Sequence, residues 1–255
     1  MSDLSGCAAL VTGSAQGMGA GIARRLHAAG ARVMLHGLEE EAGRRLAAEL
    51  TAAGPPAAFQ GGDLTREDAC RELIEAAAGR LGGLDLLVHS AGDSSRGTLA
   101  STTAELWDRL FAINCRAAFL LAHYALPHLR RSPRAAMVFI GSVNAYIGEP
   151  KLMAYSASKG ALMTLTRNLA SGLAADRIRV NCLNAGWTLT EGEDRVKREQ
   201  EGHPGWLAEA VKTRPRGRLL TPAEIGEAVL LLADSPISGA VLDYEQLPVG
   251  APPNW

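Results

Sequence analysis

Tyr155 and Lys159 stand four residues apart in segment 153–174, whose pattern predicts a helix without an internal proline. That spacing places the phenol and the ammonium group on one helix face, a turn apart. An unperturbed tyrosine has a pKa near ~10, and a neighbouring lysine cation stabilises the phenolate and lowers that pKa. The pair therefore has the groups for proton exchange with an alcohol or carbonyl oxygen. By itself the spacing is a weak signal, because a surface lysine beside a half-buried tyrosine has it too.

Ser142 adds a second polar group to this pair. It follows a predicted strand, 136–140, and stands thirteen residues before Tyr155. Ligands of open parallel sheets bind at the carboxyl ends of the strands. A hydroxyl at that position can donate to an oxygen that gains negative charge in the transition state. The sequence thus predicts a catalytic group that includes Ser142, Tyr155 and Lys159.

Three glycines follow the first predicted strand, 8–11, in the spacing Gly-x3-Gly-x-Gly, and a predicted helix, 18–29, comes next. Glycine lets the backbone turn tightly and approach a pyrophosphate without a Cβ clash. The helix N-terminus offers free N–H groups and a partial positive charge. Glycines also serve ordinary turns, so the strand before and the helix after are what favour a dinucleotide. The predicted binding residues of this turn are Gly13, Ser14, Gln16, Gly17, Met18 and Gly19.

The elements that must position these residues alternate along the whole chain. Strands are predicted at 8–11, 32–36, 57–59, 84–88, 136–140, 178–183 and 240–242. Helices are predicted at 18–29, 39–53, 65–81, 103–126, 153–174 and 221–233. We expect Thr65 to cap the third helix and Pro127 to stop the fourth. The alternation predicts one α/β domain, 1–255, with a doubly wound parallel sheet and helices on both faces.

One polar stretch, 191–218, interrupts the alternation late in the chain. It contains two turn-forming pairs, Pro204-Gly205 and Pro215 with Gly217. Two interpretations remain open. The stretch is either a substrate lid, for which we take the bounds 188–218, or a solvated surface excursion.

Composition excludes several classes of function. The 255 residues are 47% hydrophobic and 21% charged, and the formal net charge is -1, so nothing electrostatic favours nucleic acid or an anionic membrane as a partner. No apolar run approaches the ~20 residues of a bilayer span, and the N-terminus lacks a signal-peptide pattern. We therefore expect a cytoplasmic protein. The four cysteines and six histidines have no metal-ligand spacing, so no metal is expected.

These motifs resemble the short-chain dehydrogenase/reductase family of about 250 residues. The resemblance rests on the family's TGxxxGxG pattern at 12–19, and on Asn114, Ser142, Tyr155 and Lys159 in the family's order and spacing. It covers nearly the entire chain. It implies a Rossmann-type sheet of order 3-2-1-4-5-6-7 and an oxidoreductase that moves a hydride between NAD(P) and an alcohol or carbonyl carbon. It also implies that Asn114 holds a water in a proton relay, although an Asn that only kinks its helix would look the same.

The resemblance extends to the cofactor. Gly37 stands where the family has a discriminating Asp, and Leu38 where NADP users often have Arg. Without a cation for a 2′-phosphate the sequence favours NAD; NADP is the alternative if Arg44 or Arg45 folds back. Beyond the glycine turn, the implied cofactor contacts are Gly37, Leu38, Asp63, Leu64, Ser90, Ala91, Gly92, Tyr155, Lys159, Gly186, Thr188 and Thr190.

Substrate and assembly are less sharply defined. The candidate substrate residues are Asp93, Asn144, Tyr146, Trp187, Trp206 and the C-terminal Trp255. Carboxylate and amide groups mixed with aromatics favour a sugar or a polyol. Two alternatives remain: a 3-oxoacyl reductase whose carrier protein docks on the arginines near Arg130, and a non-catalytic protein that binds a dinucleotide for regulation. The family resemblance implies a homotetramer, formed by the helix of Tyr155 and the helix before it.

Overall fold

Seven short apolar runs form one parallel sheet. The computed structural model describes residues 3–248, and its strands are β1 (Ala8–Thr12), β2 (Arg32–Gly37), β3 (Ala57–Gly61), β4 (Leu86–His89), β5 (Ala136–Ser142), β6 (Arg179–Ala185) and β7 (Val241–Tyr244). Their order is β3-β2-β1-β4-β5-β6-β7. This confirms the predicted sheet in type and order. Strand β5 continues two residues further than predicted, since pairing with β6 extends to Ser142 and Ala185.

The helices fill the intervals between the strands. They are α1 (Gly17–Ala28), α2 (Glu40–Ala53), α3 (Glu67–Leu81), α4 (Ala104–Phe111), α5 (Ala117–Leu129), α6 (Met153–Gly172), α7 (Glu191–Arg195), α8 (Trp206–Ala210) and α9 (Pro222–Asp234). Two apolar layers result because successive strand residues face opposite sides of the sheet. Val11 and Leu35 face α1 and α9, whereas Leu10 and Met34 face α3 and α5. Each such fully buried side chain contributes roughly 1.5–3 kcal/mol.

Two predicted helix boundaries are wrong. Thr65 does not cap α3, which begins at Glu67; its N–H and hydroxyl instead donate to the Asp63 carboxylate, at 2.9 and 2.8 Å. Pro127 does not stop α5, which continues to Leu129. A proline removes one N–H and crowds the carbonyl four residues earlier, and that residue, His123, lies on the exposed face. Near a helix end this cost is tolerated.

The helix predicted at 103–126 has an irregular turn in its middle. Helices α4 and α5 are joined by a π-helical turn, Ala112–Arg116, that contains Asn114. The whole run, Ala104–Leu129, is long and apolar enough by length and composition to span a bilayer. Much of it is buried inside the domain, where Ala118, Leu121 and Ala125 pack in the core. Core helices of this kind meet the same length and composition criteria.

Residues 188–218 fold into short helical segments rather than an open loop. Beside α7 and α8 they contain a π-helical turn, Val196–Gln200, and a 3-10 turn, Val211–Thr213. Trp206, Ala210 and Leu219 form a small apolar cluster with Trp187 and Leu207. The two ends of the segment meet, because Leu189 N–H donates to Leu220 O at 2.9 Å and Leu220 N–H to Trp187 O at 3.0 Å. We call residues 188–218 the lid.

Candidate active site

The carboxyl ends of the strands border a cleft of about 1360 Å³. It opens beside the boundary between β1 and β4, where the chain order of the sheet reverses and open α/β sheets bind their ligands. Most of the predicted cofactor residues line it: Gly13, Gln16, Gly17, Met18, Gly19, Gly37, Leu38, Asp63, Leu64, Ser90, Ala91, Gly92 and Thr190.

The glycine turn has no room for a side chain at Gly13 or Gly19. Gly13 has a φ of +62°, and a Cβ on it would lie 2.6 Å from the Cα of Ala91. A Cβ on Gly19 would lie 2.1 Å from the carbonyl oxygen of Gly13. Helix α1 then begins at Gly17, so its first N–H groups border the cleft. This geometry fits the phosphates of a dinucleotide, the group that the sequence pattern predicts.

Ser14 differs from its predicted role as a cofactor contact. Its hydroxyl donates to Val11 O at 2.7 Å, and its N–H donates to His36 O at 2.7 Å. The same hydroxyl accepts from His36 N–H at 3.0 Å. The residue is completely buried, so it fastens the turn to β2 and has no free donor for a ligand.

His36 is a buried part of the site that the sequence reasoning missed. Its Nε2 lies 3.0 Å from Gly62 O, and its Nδ1 accepts from the N–H of Gly13 at 3.5 Å. A carbonyl only accepts, so the Nε2 nitrogen holds the proton. Burial lowers the pKa of His36 to about 4. The neutral ring thus links the glycine turn to the loop after β3.

His89 makes a similar link on the other side of the turn. Thr12 Oγ1 accepts from the N–H groups of Ser90 and Ala91, both at 3.1 Å, and lies 3.1 Å from His89 Nδ1. His89 Nε2 lies 3.1 Å from Ile113 O. Burial, with a smaller effect of Lys159, lowers the pKa of His89 to about 3. The neutral ring therefore connects β1 to the π-helical turn.

Ser90 gives an independent indication of a ligand. Its Oγ is buried and has no hydrogen-bond partner within residues 3–248. The residue lines the cleft beside the glycine turn. A buried hydroxyl without a partner costs about 1–3 kcal/mol, and a rotation of this side chain toward a polar ligand in the cleft would remove that cost. Together with the glycine turn, Ser90 fits a nicotinamide dinucleotide.

An acidic group lies at the β2 end of the cleft although Gly37 and Leu38 are both uncharged. Leu38 is 70% exposed. The Glu39 carboxylate lies beside Gly37 and accepts from Gln16 Nε2 at 2.9 Å. Arg44 is not folded back over this end, since it pairs with Glu40 at 3.0 Å. At this end of β2 the contacts predicted from the sequence are Gly37 and Leu38, and they do not include Glu39, the next residue.

Lys159 and Tyr155 lie together as their spacing predicts, but the lysine is not aimed at the phenol oxygen. The Lys159 Nζ donates to Ile140 O at 2.8 Å and lies 5.8 Å from the centre of the Tyr155 ring. Burial lowers the pKa of Lys159 to about 8. Burial raises the pKa of Tyr155, opposite to the lowering expected from the lysine, although a hydrogen bond with Ser142 counteracts part of this rise.

Ser142 lies where the sequence predicts it, at the end of β5 beside Tyr155. Its Oγ accepts from Asn144 N–H at 3.2 Å. That bond begins a 3-10 turn, Val143–Ala145, and fixes the direction of the hydroxyl. Asn144 thus contributes its backbone to the site.

Asn114 is buried in the π-helical turn, and its side chain is used for anchoring. Its Oδ1 accepts from Asp93 N–H at 3.0 Å, and its Nδ2 donates to Asp93 O at 2.9 Å and to Ser158 Oγ at 3.0 Å. Ser158 in turn donates to Tyr155 O at 2.7 Å. Both amide hydrogens are therefore occupied. A water-ordering role for Asn114 stays a prediction.

Of the predicted substrate residues, some are accessible at the cleft or at the surface, and one is buried. Asp93 lines the cleft, with its carboxylate bonded to Ser95 and Arg109, and Tyr146 is 48% exposed. Trp206 is wrong as a wall residue: it is 2% exposed and donates to Asp194 at 2.9 Å. Its size makes it the centre of the lid's own core. Trp255 lies outside the described residues.

The base of the lid is formed by Trp187, Gly186 and Thr188. Trp187 stacks on Trp206 at 5.7 Å between ring centres. Thr188 is buried and donates to Gly186 O at 3.0 Å, and a Cβ on Gly186 would lie 2.6 Å from the Glu245 carboxyl. None of the three lines the cleft; Gly186 and Thr188 shape the turn here, and their cofactor contacts stay a prediction.

A network of ion pairs connects the lid to the loop after β4. Arg96 Nε donates to Glu201 at 3.0 Å, and its Nη2 lies 3.4 Å from Glu193. Lys197 pairs with Glu201 at 3.0 Å. The spacing of Lys197 and Glu201 is a detectable helical pattern. No local signal identifies Arg96, which lies 105 residues before Glu201.

The segment after β7 holds both ends of the lid. Glu245 accepts from Trp187 N–H at 2.9 Å and pairs with Arg214 at 3.7 Å. Gln246 Nε2 donates to Arg218 O at 2.7 Å. Sequence reasoning assigned no role to these residues.

The basic residues near Arg130 lie at the opposite end of the sheet. They precede β5, whose seven residues separate them from Ser142 by roughly 20 Å. Arg130 pairs with Asp176 at 2.9 Å. Within residues 3–248, no group of three or more His, Cys, Asp or Glu could hold a metal ion.

Comparison with known proteins points to one family. A family model described as enoyl-(acyl carrier protein) reductase matches residues 13–243. The L-fucose dehydrogenase of Oryctolagus cuniculus is 34% identical over 230 residues, which are 90% of this chain and 79% of that protein. The cyclopentanol dehydrogenase of a Comamonas species is 32% identical over 229 residues, 90% of each chain.

A solved structure agrees with these relatives. The active-site complex of Pseudomonas aeruginosa RhlG with NADP superposes with a TM-score of 0.85, at 32% identity, over 96% of each chain. This similarity extends over β1–β7 and the helices between them.

Proposed function

The chain belongs to the short-chain dehydrogenase/reductase family, and from this premise we propose that it is an NAD-dependent dehydrogenase that oxidises a secondary alcohol of a sugar or polyol. In the coarser terms of its family it is an NAD(P)-dependent oxidoreductase that acts on alcohols. The proposal adds the preferred cofactor, the substrate class and the residues that act.

Three side chains perform the chemistry. The bound nicotinamide supplies the hydride acceptor for oxidation. Tyr155 takes the proton of the substrate hydroxyl on its phenol oxygen, and Ser142 donates to the same substrate oxygen. Lys159, buried and cationic below a pKa of about 8, places a positive charge beside the phenolate that accepts this proton. Because burial raises the pKa of Tyr155, oxidation should accelerate as pH rises.

Glu39 supports NAD as the cofactor. A carboxylate at the end of β2 can accept from the ribose 2′-OH and repels a 2′-phosphate. Glu39 lies at this end and is held there by Gln16. Arg44, the cation that would favour a phosphate, is engaged by Glu40.

Charged groups around Tyr155 support a polyhydroxylated substrate, and this observation underlies the substrate proposal. Arg96 lowers the pKa of Tyr155 through its charge, whereas Glu193 and Asp93 raise it, so charges of both signs act on the phenol. A fatty acyl chain would bury apolar surface against charged groups. Hydroxyl groups can donate hydrogen bonds to the carboxylates and accept them from the guanidinium. For the alternative of a 3-oxoacyl reductase, the arginines near Arg130 are too far from the site to dock a carrier protein beside it, because Arg130 lies at the far end of the sheet.

An oxidation screen tests the proposal. Purified protein is incubated with NAD or NADP and with L-fucose, other sugars, polyols and cyclopentanol, and the reduced cofactor is measured by absorbance. We expect polyol or sugar oxidation with NAD. Glu39→Gln should narrow the preference for NAD over NADP by roughly 10-fold, since it removes one charge. Arg44→Ala, which removes a charge outside the cleft, is the matched control and should leave the preference unchanged.

Tyr155→Phe separates an enzyme from a binding protein. We expect it to lower turnover by roughly 10²–10⁴-fold and to leave NADH binding, followed by fluorescence, unchanged. Near-normal turnover in this variant would disprove the mechanism. Binding of NADH without oxidation of any alcohol by the wild type would favour the non-catalytic alternative.

A further inference from the structure

The loop that contains Arg96 is fixed on both sides next to the reacting tyrosine. The backbone of Asp93 is held by the buried side chain of Asn114. Gly97 N–H donates to Lys151 O at 2.8 Å, and Gly97 pairs with Leu152 as an isolated bridge, three residues before Tyr155. Arg96 therefore reaches from a rigid base, beside the start of α6, toward the lid.

The three nitrogens of the Arg96 guanidinium make hydrogen bonds of unequal length. Nη1 donates to Ser94 O at 2.8 Å, and Nε donates to Glu201 at 3.0 Å. Nη2 reaches Glu193 only at 3.4 and 3.5 Å. Charge-assisted N–H···O bonds are ordinarily about 2.7–2.9 Å. Nη2 thus retains donor capacity toward a further oxygen.

The two oxygens of the Glu193 carboxylate, which faces Arg96, also make hydrogen bonds of unequal length. Glu193 Oε1 accepts from Trp187 Nε1 at 3.0 Å, whereas the contact of Oε2 is the 3.5 Å approach of Arg96. The Arg96 and Glu193 side chains are only 16% and 15% exposed, so water screens them poorly. A donor and an acceptor thus lie side by side with capacity left on each.

A hydroxyl group satisfies both atoms at once. It can accept from Nη2 and donate to Oε2, which neither an alkyl group nor a carbonyl can do. Both charges act on the pKa of Tyr155, and the bridge between Gly97 and Leu152 holds the base of the Arg96 loop beside the first turn of the Tyr155 helix. A substrate hydroxyl held here would lie near the hydroxyl that is oxidised.

We propose that Arg96 and Glu193 are specificity-determining residues that bind a second hydroxyl group close to the reacting carbon, so that the enzyme selects vicinal diols over simple alcohols. The proposal rests on the proposed function, because it requires that Tyr155 oxidises an alcohol. It adds the position and the partners of a second substrate hydroxyl.

The test uses a matched pair of substrates, cis-1,2-cyclopentanediol and cyclopentanol. The kcat/KM for oxidation with NAD is measured for each, and the ratio of diol to monoalcohol is the readout. Hydrogen bonds to charged groups contribute about 1.5–3 kcal/mol, so a wild-type ratio of roughly 10–100 is expected. Glu193→Ala should reduce the ratio to near 1. A ratio does not depend on the fraction of folded protein.

Glu201→Ala is the matched control. It removes the other lid carboxylate that pairs with Arg96, and it should leave the ratio unchanged even if the variant is less stable. A wild-type ratio near 1, or an unchanged ratio in Glu193→Ala, overturns the inference. Oxidation of a sugar or a polyol, without any preference for the diol over cyclopentanol, overturns it while leaving the proposed function intact. No oxidation of any alcohol would overturn both.

Discussion

The glycine turn and the lid both border the candidate active site, but they are held by different kinds of polar contact. Around the turn, Ser14, His36 and His89 make buried hydrogen bonds between uncharged groups. The lid is held by Arg96 and Glu245, whose contacts are ion pairs or charge-assisted bonds. Breaking a buried neutral bond leaves an unsatisfied group, whereas ionic contacts that open to water are resolvated and screened by salt.

This difference assigns the two regions different tasks. The turn is preorganised and should bind a dinucleotide without rearrangement. The lid packs on a small apolar cluster, and we expect it to move as a unit when its ionic contacts open. The following substitutions test this contrast, from the largest expected effect to the smallest.

Gly13→Ala should have the largest effect. The new Cβ would lie 2.6 Å from Ala91 Cα, and the φ of +62° disfavours any L side chain. We expect NADH affinity in a fluorescence titration to fall by at least about 100-fold, since the backbone at the phosphate site must shift. Gly79→Ala is the control, because its position in α3 is open space; it should stabilise the protein by roughly 0.5–1 kcal/mol. Binding within threefold of wild type in Gly13→Ala would contradict the proposed phosphate site.

Acid should destabilise the folded protein already at pH values above those at which the buried rings of His36 and His89 become protonated. The pKa of His36 is lowered to about 4 and that of His89 to about 3, both below the ordinary value of 6.5. Between pH 6.5 and these values the unfolded chain binds protons that the folded protein does not, so stability falls as pH falls. By pH 5 each of the two rings should lower the free energy of unfolding by roughly 2 kcal/mol.

Thermal unfolding at pH 7.5 and pH 5 measures this effect. His89→Asn should reduce the loss of Tm on acidification, because asparagine cannot take up the proton. His123→Asn, a substitution on the exposed face of α5, should leave that loss as large as in the wild type. Equal losses in wild type and His89→Asn would contradict the role assigned to the buried ring.

Glu245→Ala should have the smallest effect on the whole protein and a local effect on the lid. It removes the acceptor of Trp187 N–H and the partner of Arg214. Trypsin should then cleave within the lid several-fold faster, while the Tm of the sheet changes little. Added salt should accelerate cleavage of the wild-type lid in the same direction.

Glu227→Ala provides the control for that measurement. It removes a surface ion pair with Arg25 outside the lid and should not alter cleavage. Faster cleavage outside residues 188–218 in Glu245→Ala would indicate a role in the whole fold rather than in the lid.

Local patterns were sufficient for the strands and helices and for the positions of three candidate catalytic side chains. Ser142, Tyr155 and Lys159 were predicted because each has a fixed position on one strand end or one helix face. The roles of Ser14 and Trp206 were predicted wrongly. Both residue types occur in binding sites, and only packing shows that one is bonded to β2 and the other forms the core of the lid.

The strand order was an implication of the family resemblance. The amino-acid sequence by itself determined the alternation of strands and helices, the glycine turn and the spacing of the candidate catalytic side chains. These features depend on periodicity and on backbone sterics, which act within a few residues. The tertiary structure decided which charges surround Tyr155 and what holds the lid. Arg96 and Glu201 are 105 residues apart, and Trp187 and Glu245 are 58 apart. Their contacts exist only after β4, β6 and β7 have been placed side by side, because no local pattern relates residues so distant in the chain.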